Sequence, residues 1–316
     1  MRVFVALLAA ALLLAGAAGC GGDGAEPGAP AGATLVLDFI PNAVHSGIYA
    51  AQRQGYYREQ GVELTVRQPG ESTDAPKLLE TGRAEFAILD IHDLGIARER
   101  GLDLVGVMPL VQRTLAAVIA TESVDRPSEL AGRAVGVTGL PSDEAVVDSE
   151  VRADGGDPEA VKRVTIGFNA VSSLVAGKVD AVTGFWNAEA VTLRARRVPI
   201  HVFKVDRYGA PSYPELVLTT SGDTLRNDPE LVESTVEATR RGYEFATSQP
   251  GRALDDLLAA APTLDREEQA GQLNVLLADL RPAPFDPAAL RAWAAWDLEH
   301  GLLKRPLDVD AAFSEP

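Results

Sequence analysis

Cysteine occurs once in 316 residues, at position 20. A single cysteine excludes an internal disulfide and any metal site built from paired thiolates. The chain also has no His-Glu-x-x-His, no Gly-x-Ser-x-Gly, no P-loop and no Gly-x-Gly-x-x-Gly. The motifs that mark zinc hydrolysis, serine hydrolysis and nucleotide or dinucleotide binding are therefore missing, and no cofactor is implied. Basic residues are scarce, 29 against 45 acidic ones, for a formal charge of −16. That balance argues against nucleic acid and against an anionic membrane surface as partners. The acidic residues are dispersed, as on a solvated surface, and select no ligand by themselves.

The long apolar run is confined to the N-terminus. Arg2 precedes an Ala/Leu-rich stretch over 3–18 that is too short and too Ala-rich to favour a membrane span, so 1–19 reads as a secretory signal peptide. Ala17-Ala18-Gly19-Cys20 resembles a bacterial lipobox, with Ala17 where Leu is usual. The expectation is a lipid-anchored Cys20, the alternative a plain cleavage. Gly, Ala, Pro and acidic residues over 20–33 read as a flexible tether.

One phrase occurs twice. Leu-x-x-Gly-basic-apolar-acidic-apolar-apolar spans 79–87 and returns 95 residues later over 174–182. Each copy reads as a helix end, a Gly stop and a buried strand, and two copies imply two similar α/β lobes with a cleft between them. Apolar, β-branched runs predict strands over 34–39, 62–67, 86–89, 104–108 and 115–120, with helices over 44–54, from Asp74 to Gly82, and over 93–100. A second set of strands follows over 134–137, 161–166 and 201–205, with helices over 142–153 and 188–196. The first lobe takes 34–120, with the crossing near Ala120, and the second lobe 121–215. A strand over 216–220 returns the chain to the first lobe. From Asp228 the pattern is helical throughout, and 216–316 is assigned to the return and the C-terminal helices. Alternating strands and helices indicate parallel sheets, and two crossings make a hinge pair.

Ligands of parallel α/β sheets sit beyond the carboxyl ends of the strands. Asp38 and Phe39 end the first strand. Asn42 can cap the next helix or face a ligand, and His45 and Tyr49 share a face one turn apart. Asp90, His92 and Asp93 follow the first copy of the phrase. Trp186, Asn187 and Glu189 follow the second. A strand-to-helix loop suits Trp186 for stacking on a ligand, with core packing as the alternative. Glu189 either accepts from a ligand amine or stabilises a helix N-terminus.

Leu37-Asp38-Phe39-x-Pro41-Asn42-x-x-His45-x-Gly47-x-Tyr49, then Gly55-Tyr56-Tyr57, Gly61-Val62-Glu63-Leu64, Gly184-Phe185-Trp186-Asn187-x-Glu189 and Gly209-Ala210-Pro211-x-Tyr213-Pro214-Glu215-Leu216 resemble the thiamine-pyrimidine-precursor-binding branch of ABC-importer binding proteins. The resemblance covers about 34–218. It implies an α/β, two-lobed type II periplasmic-binding-protein fold with a hinge and a helical C-terminal segment. It implies ring contacts from Phe39, Tyr49 and Trp186, an exocyclic amine held by Glu189, and a polar lining from Asp38, Asn42, His45, Asp90 and Tyr213. Phe39 stands where relatives often have Trp, which leaves riboflavin or another aromatic ligand open beside a pyrimidine. The family's synthases use a cysteine-rich motif that this chain lacks.

The resulting expectation is a monomeric, lipid-anchored solute-binding protein on the extracytoplasmic face of the bacterial membrane. It would deliver a small heteroaromatic ligand, foremost hydroxymethylpyrimidine or formylaminopyrimidine, to an ABC permease and its ATPase. A secreted enzyme with acid/base or metal chemistry at Asp38, His45, Asp90, His92 and Asp93 is the competing class. A sensory module reporting ligand to a receptor is a third.

Overall fold

The computed structural model describes residues 30–69 and 75–316. The expected signal peptide, Cys20, most of the expected tether and the Asp74 cap lie outside the described residues. Among the described residues no helix is long and apolar enough to cross a membrane.

Among the described residues ten strands form two sheets: β1 (Ala31–Val36), β2 (Val62–Arg67), β3 (Phe86–Asp90), β4 (Leu104–Val111), β5 (Ala116–Thr121), β6 (Ala134–Val137), β7 (Lys162–Thr165), β8 (Ala181–Phe185), β9 (Ile200–Lys204) and β10 (Leu216–Ser221). Their orders are β2-β1-β3-β10-β4 and β7-β6-β8-β5-β9. The two sheets share one topology. In each, three parallel strands are followed by an antiparallel one, β10 in the first sheet and β5 in the second. Those antiparallel strands are the two that enter each lobe from the other.

The twice-used phrase is structural in both lobes. Gly82 and Gly177 take left-handed backbone, φ 63° and 64°, and end their helices. The acidic residue of each copy then clamps a parallel strand of its lobe, β1 or β6. Glu85 accepts the Thr34 N–H at 2.6 Å, and Asp180 accepts the Ala134 N–H at 2.9 Å.

Two boundaries differ from expectation. β1 starts at Ala31, because Ala31-Gly32-Ala33 pairs with 62–64 of β2, so the strand takes in the last residues read as tether. β5 belongs to the second sheet, so the first crossing lies at 112–115 and not near Ala120. An apolar strand has the same pattern whichever sheet it joins.

Strand alternation gives the first sheet two apolar faces. Leu35, Leu37, Phe86 and Ile88 point one way, with Ile48 and Tyr243. Val36, Ala87 and Leu89 point the other way, under Trp293 and Phe313. The C-terminal helices therefore cover both faces of lobe 1. Helix Ser46–Gln54 crosses helix Pro229–Ser248 through two glycines: a Cβ on Gly242 would lie 2.1 Å from the Gly47 carbonyl oxygen, and one on Gly47 would strike the Tyr243 ring at 2.4 Å. Gly242→Ala is expected to push these helices apart at a cost of roughly 1–3 kcal/mol. Urea denaturation would measure it, and an unchanged midpoint would mean the crossing yields freely.

Candidate functional site

The cleft between the lobes encloses about 460 Å³. Its floor is the hinge. Glu215, 1% exposed, opens β10 and directs its carboxylate at the start of β5, accepting from the Leu115 N–H and from the Ala116 N–H at 3.2 Å. Its own N–H donates to the Val111 carbonyl at 3.1 Å. One side chain thus ties both crossings together. Thr114 adds a second tie: its hydroxyl accepts the Tyr213 N–H at 3.2 Å.

Asp38, Phe39 and Asn42 reach the cleft from the loop after β1, and Asp90 and His92 from the end of β3. Asn187 and Glu189 reach it from the end of β8. The other three sequence-predicted residues and His45 lie behind this surface. His45 is fully buried. Its Nδ1 accepts the Asn42 N–H at 3.1 Å, so its Nε2–H donates to Asp38 at 2.8 Å. His45 therefore orients Asp38. Tyr49 packs into the lobe 1 core and does not line the cleft. Tyr213 is buried in the hinge, its hydroxyl accepting from His92 Nε2 at 3.0 Å.

Trp186 is likewise not a cleft residue. It is 7% exposed, and its indole N–H donates to the Thr114 carbonyl at 2.9 Å. The Lys204 ammonium stands 3.4 Å from its ring centre. Thr183, Phe185 and Asn187 line the cleft, whereas Trp186, in the turn that follows β8, packs onto the hinge. The expected stacking surface at this loop is therefore offered by Phe185.

Sequence reasoning also missed Phe168, which follows β7 and is 65% exposed. Its ring centre lies 5.4 Å from that of Phe39, so two aromatic rings meet across the cleft mouth, one from each lobe. A position beyond a parallel strand's carboxyl end was the available signal. The third wall was also unforeseen. Helix Arg266–Leu276 brings Glu268, Gln269 and Gln272 to the cleft, and Glu268 accepts the Thr192 hydroxyl of lobe 2 at 2.8 Å.

Among the described residues, Asp90, His92 and Glu215 form the one group whose ligand atoms could share a metal ion, lying within 4.8 Å of one another. Their donors are already committed. His92 uses Nδ1 on Asp297 at 2.7 Å and Nε2 on Tyr213, and Glu215 binds two backbone N–H groups. The group is a hydrogen-bond network at the hinge.

Burial would lower the His92 pKa, but the adjacent carboxylates of Asp297 and Asp90 hold it up at about 10. Burial raises Asp90 to about 7 against the opposing pull of His92, and burial with the Asp90 charge raises Asp93 to about 7. Burial also raises Glu189, against the Phe185 N–H that its carboxylate accepts at 2.8 Å. Folded carboxyls raised to about 7 hold protons that the unfolded chain releases near 4. Their contribution is fully present below about pH 4 and is lost as pH rises to about 7. Asp90→Asn is therefore expected to flatten the decline of unliganded stability between pH 5 and 8 by more than about 1 kcal/mol. Urea midpoints at both pH values would check it, and an unchanged slope would count against a protonated Asp90. Trp186→Phe should lose about 1 kcal/mol with the Thr114 hydrogen bond, and Trp186→Ala roughly 3–5 kcal/mol. Thermal unfolding would read both, and a Trp186→Ala protein of full stability would return Trp186 to the ligand surface.

Residues 42–253 match the family described as NMT1/THI5 like. A formylaminopyrimidine-binding protein from Halalkalibacterium halodurans is 32% identical over 292 residues, covering 89% of this chain and 88% of that one. A 4-amino-5-hydroxymethyl-2-methylpyrimidine phosphate synthase from Legionella pneumophila is 25% identical over 236 residues, covering 73% and 74%. The fold matches the crystal structure of the periplasmic aliphatic sulphonate binding protein SsuA from Escherichia coli, with a TM-score of 0.74 at 13% identity, over 91% of this chain and 93% of that one. The chain has the periplasmic-binding-protein fold and belongs to the NMT1/THI5-like family.

Proposed function

We propose that this chain is an extracytoplasmic solute-binding protein of an ABC importer that captures an unphosphorylated thiamine-precursor pyrimidine of the formylaminopyrimidine or hydroxymethylpyrimidine type. The observation that carries the reading is the cleft itself. Aromatic rings come from both lobes, Phe39 from one and Phe168 and Phe185 from the other, with the Glu189 carboxylate beside Phe185. A flat ring fits between aromatic faces, and a carboxylate accepts from an exocyclic amine.

The charge of the lining supports a neutral or amine-bearing ligand. Asp38, Asp90, Glu189, Glu215 and Glu268 all face the cleft, whose basic members are His92 and Arg196. That acidic lining, part of it held neutral by burial as at Asp90, supplies few of the cations that a phosphate needs. The relative that binds formylaminopyrimidine covers most of this chain, which favours binding over synthesis. The synthase reading is weakened further because Cys20 is the chain's one cysteine. Lipid anchoring at Cys20 and delivery to a permease and its ATPase complete the reading, with the lobes closing about the hinge on the ligand.

Calorimetric titration should give binding of formylaminopyrimidine or hydroxymethylpyrimidine and none of the phosphate ester. Glu189→Gln should weaken the aminopyrimidine by roughly 1.5–3 kcal/mol, tenfold or more, and leave the fold unchanged. No heat with either pyrimidine, but binding of riboflavin, would overturn the ligand assignment.

A further inference from the structure

Three amide residues line the cleft, and each keeps a buried carbonyl oxygen without a partner. Asn187 Oδ1, Gln269 Oε1 and Gln272 Oε1 have no hydrogen-bond partner. The residues are 1%, 4% and 4% exposed, and all three line the cleft. A buried amide acceptor is unfavourable unless something satisfies it. Two of the three sit on helix Arg266–Leu276, three residues apart and so on one face. That face is held in place from the opposite lobe. Glu268 accepts the Thr192 hydroxyl at 2.8 Å and the Gln272 amide N–H at 3.3 Å, which leaves the Gln272 oxygen free.

The unused groups are neutral acceptors, and their neighbours are anionic. Glu268 lies near enough to Glu189 to raise its pKa. A substituent bound here would donate N–H or O–H groups and carry no negative charge. We propose that helix Arg266–Leu276 completes the ligand site: Gln269 and Gln272, with Asn187 of lobe 2, form a subsite for a neutral hydrogen-bonding substituent, an amide or a hydroxyl, on the ring held in the cleft. The proposal rests on the heteroaromatic reading of the cleft. It adds a C-terminal helix to the binding surface, and it makes the substituent, as well as the ring, a determinant of specificity.

The test compares a ring with and without its substituent. In calorimetry, the double variant Gln269→Leu/Gln272→Leu should bind formylaminopyrimidine at least tenfold more weakly than the unaltered protein. It should bind 4-amino-2,5-dimethylpyrimidine, which lacks the amide, within twofold of the unaltered protein. Asn274→Leu, on the exposed side of the same helix, should change neither. Unliganded Gln269→Leu should melt no lower than the unaltered protein, because it removes an unsatisfied acceptor. Equal losses for both ligands, or no loss for either, would overturn the subsite. Should the double variant fail to fold, Gln269→Leu alone carries the same comparison. The pyrimidine reading fails separately, on the unaltered protein, if no pyrimidine gives heat. The subsite is then read with riboflavin against lumiflavin, the same isoalloxazine ring with a methyl in place of the hydroxyl chain, under the same two outcomes. No heat from either ring system would overturn the subsite together with the reading beneath it.

Discussion

The Glu215 carboxylate is the constraint on which the two-lobed arrangement turns. It stands where β10 leaves lobe 2 and grips the backbone N–H groups where β5 enters it. Both crossings are thereby fixed to one atom group. The hinge is further filled by Trp186, which binds the Thr114 carbonyl, and by Tyr213, which binds Thr114 and His92. A buried carboxylate needs such partners to remain tolerable, since an unpaired one would neutralise or unfold its surroundings. Burial does raise Glu215, and His92 with the two backbone donors opposes that rise. The hinge is therefore a polar, hydrogen-bonded pivot between two apolar lobes, and it is also the floor of the cleft.

Each lobe repeats one solution above that pivot. A glycine ends a helix, an acidic residue clamps β1 or β6, and β3 or β8 delivers its last residues to the cleft. Glu85 and Asp180 perform the same clamping, at positions that correspond in the two sheets. The chemistry presented differs. Lobe 1 offers Asp38, oriented by His45, and Asp90, tied to His92. Lobe 2 offers aromatic faces and Glu189. The helix Arg266–Leu276, contributed by the returning chain, closes the third side and joins the lobes at Thr192. Membership of the NMT1/THI5-like family and the periplasmic-binding-protein fold agree with this construction.

Much of the scaffold was legible in the sequence, because local rules govern it. Strand alternation and glycine stops located the sheets, and the repeated phrase disclosed the two lobes. The position of the crossing was not legible, since 116–121 has the same apolar pattern in either sheet. Trp186 was misread because its loop suggested exposure, whereas the turn after β8 directs its indole onto the Thr114 carbonyl. His45 was found, but acts through Asp38. Phe168 was passed over although it follows the carboxyl end of β7, because Ile166, Ala170 and Val171 around it gave the segment an ordinary apolar pattern. Gln269 and Gln272 could not be read as cleft residues, because only the tertiary packing of their helix turns that face toward lobe 2.

The most direct measurement is a crystal structure of the protein grown with formylaminopyrimidine. The ring is expected between Phe39 and the lobe 2 phenylalanines, with its amine within hydrogen-bond reach of Glu189 and Trp186 still buried against Thr114. A ligand bound away from these residues, or a ring stacked on an exposed Trp186, would contradict that placement.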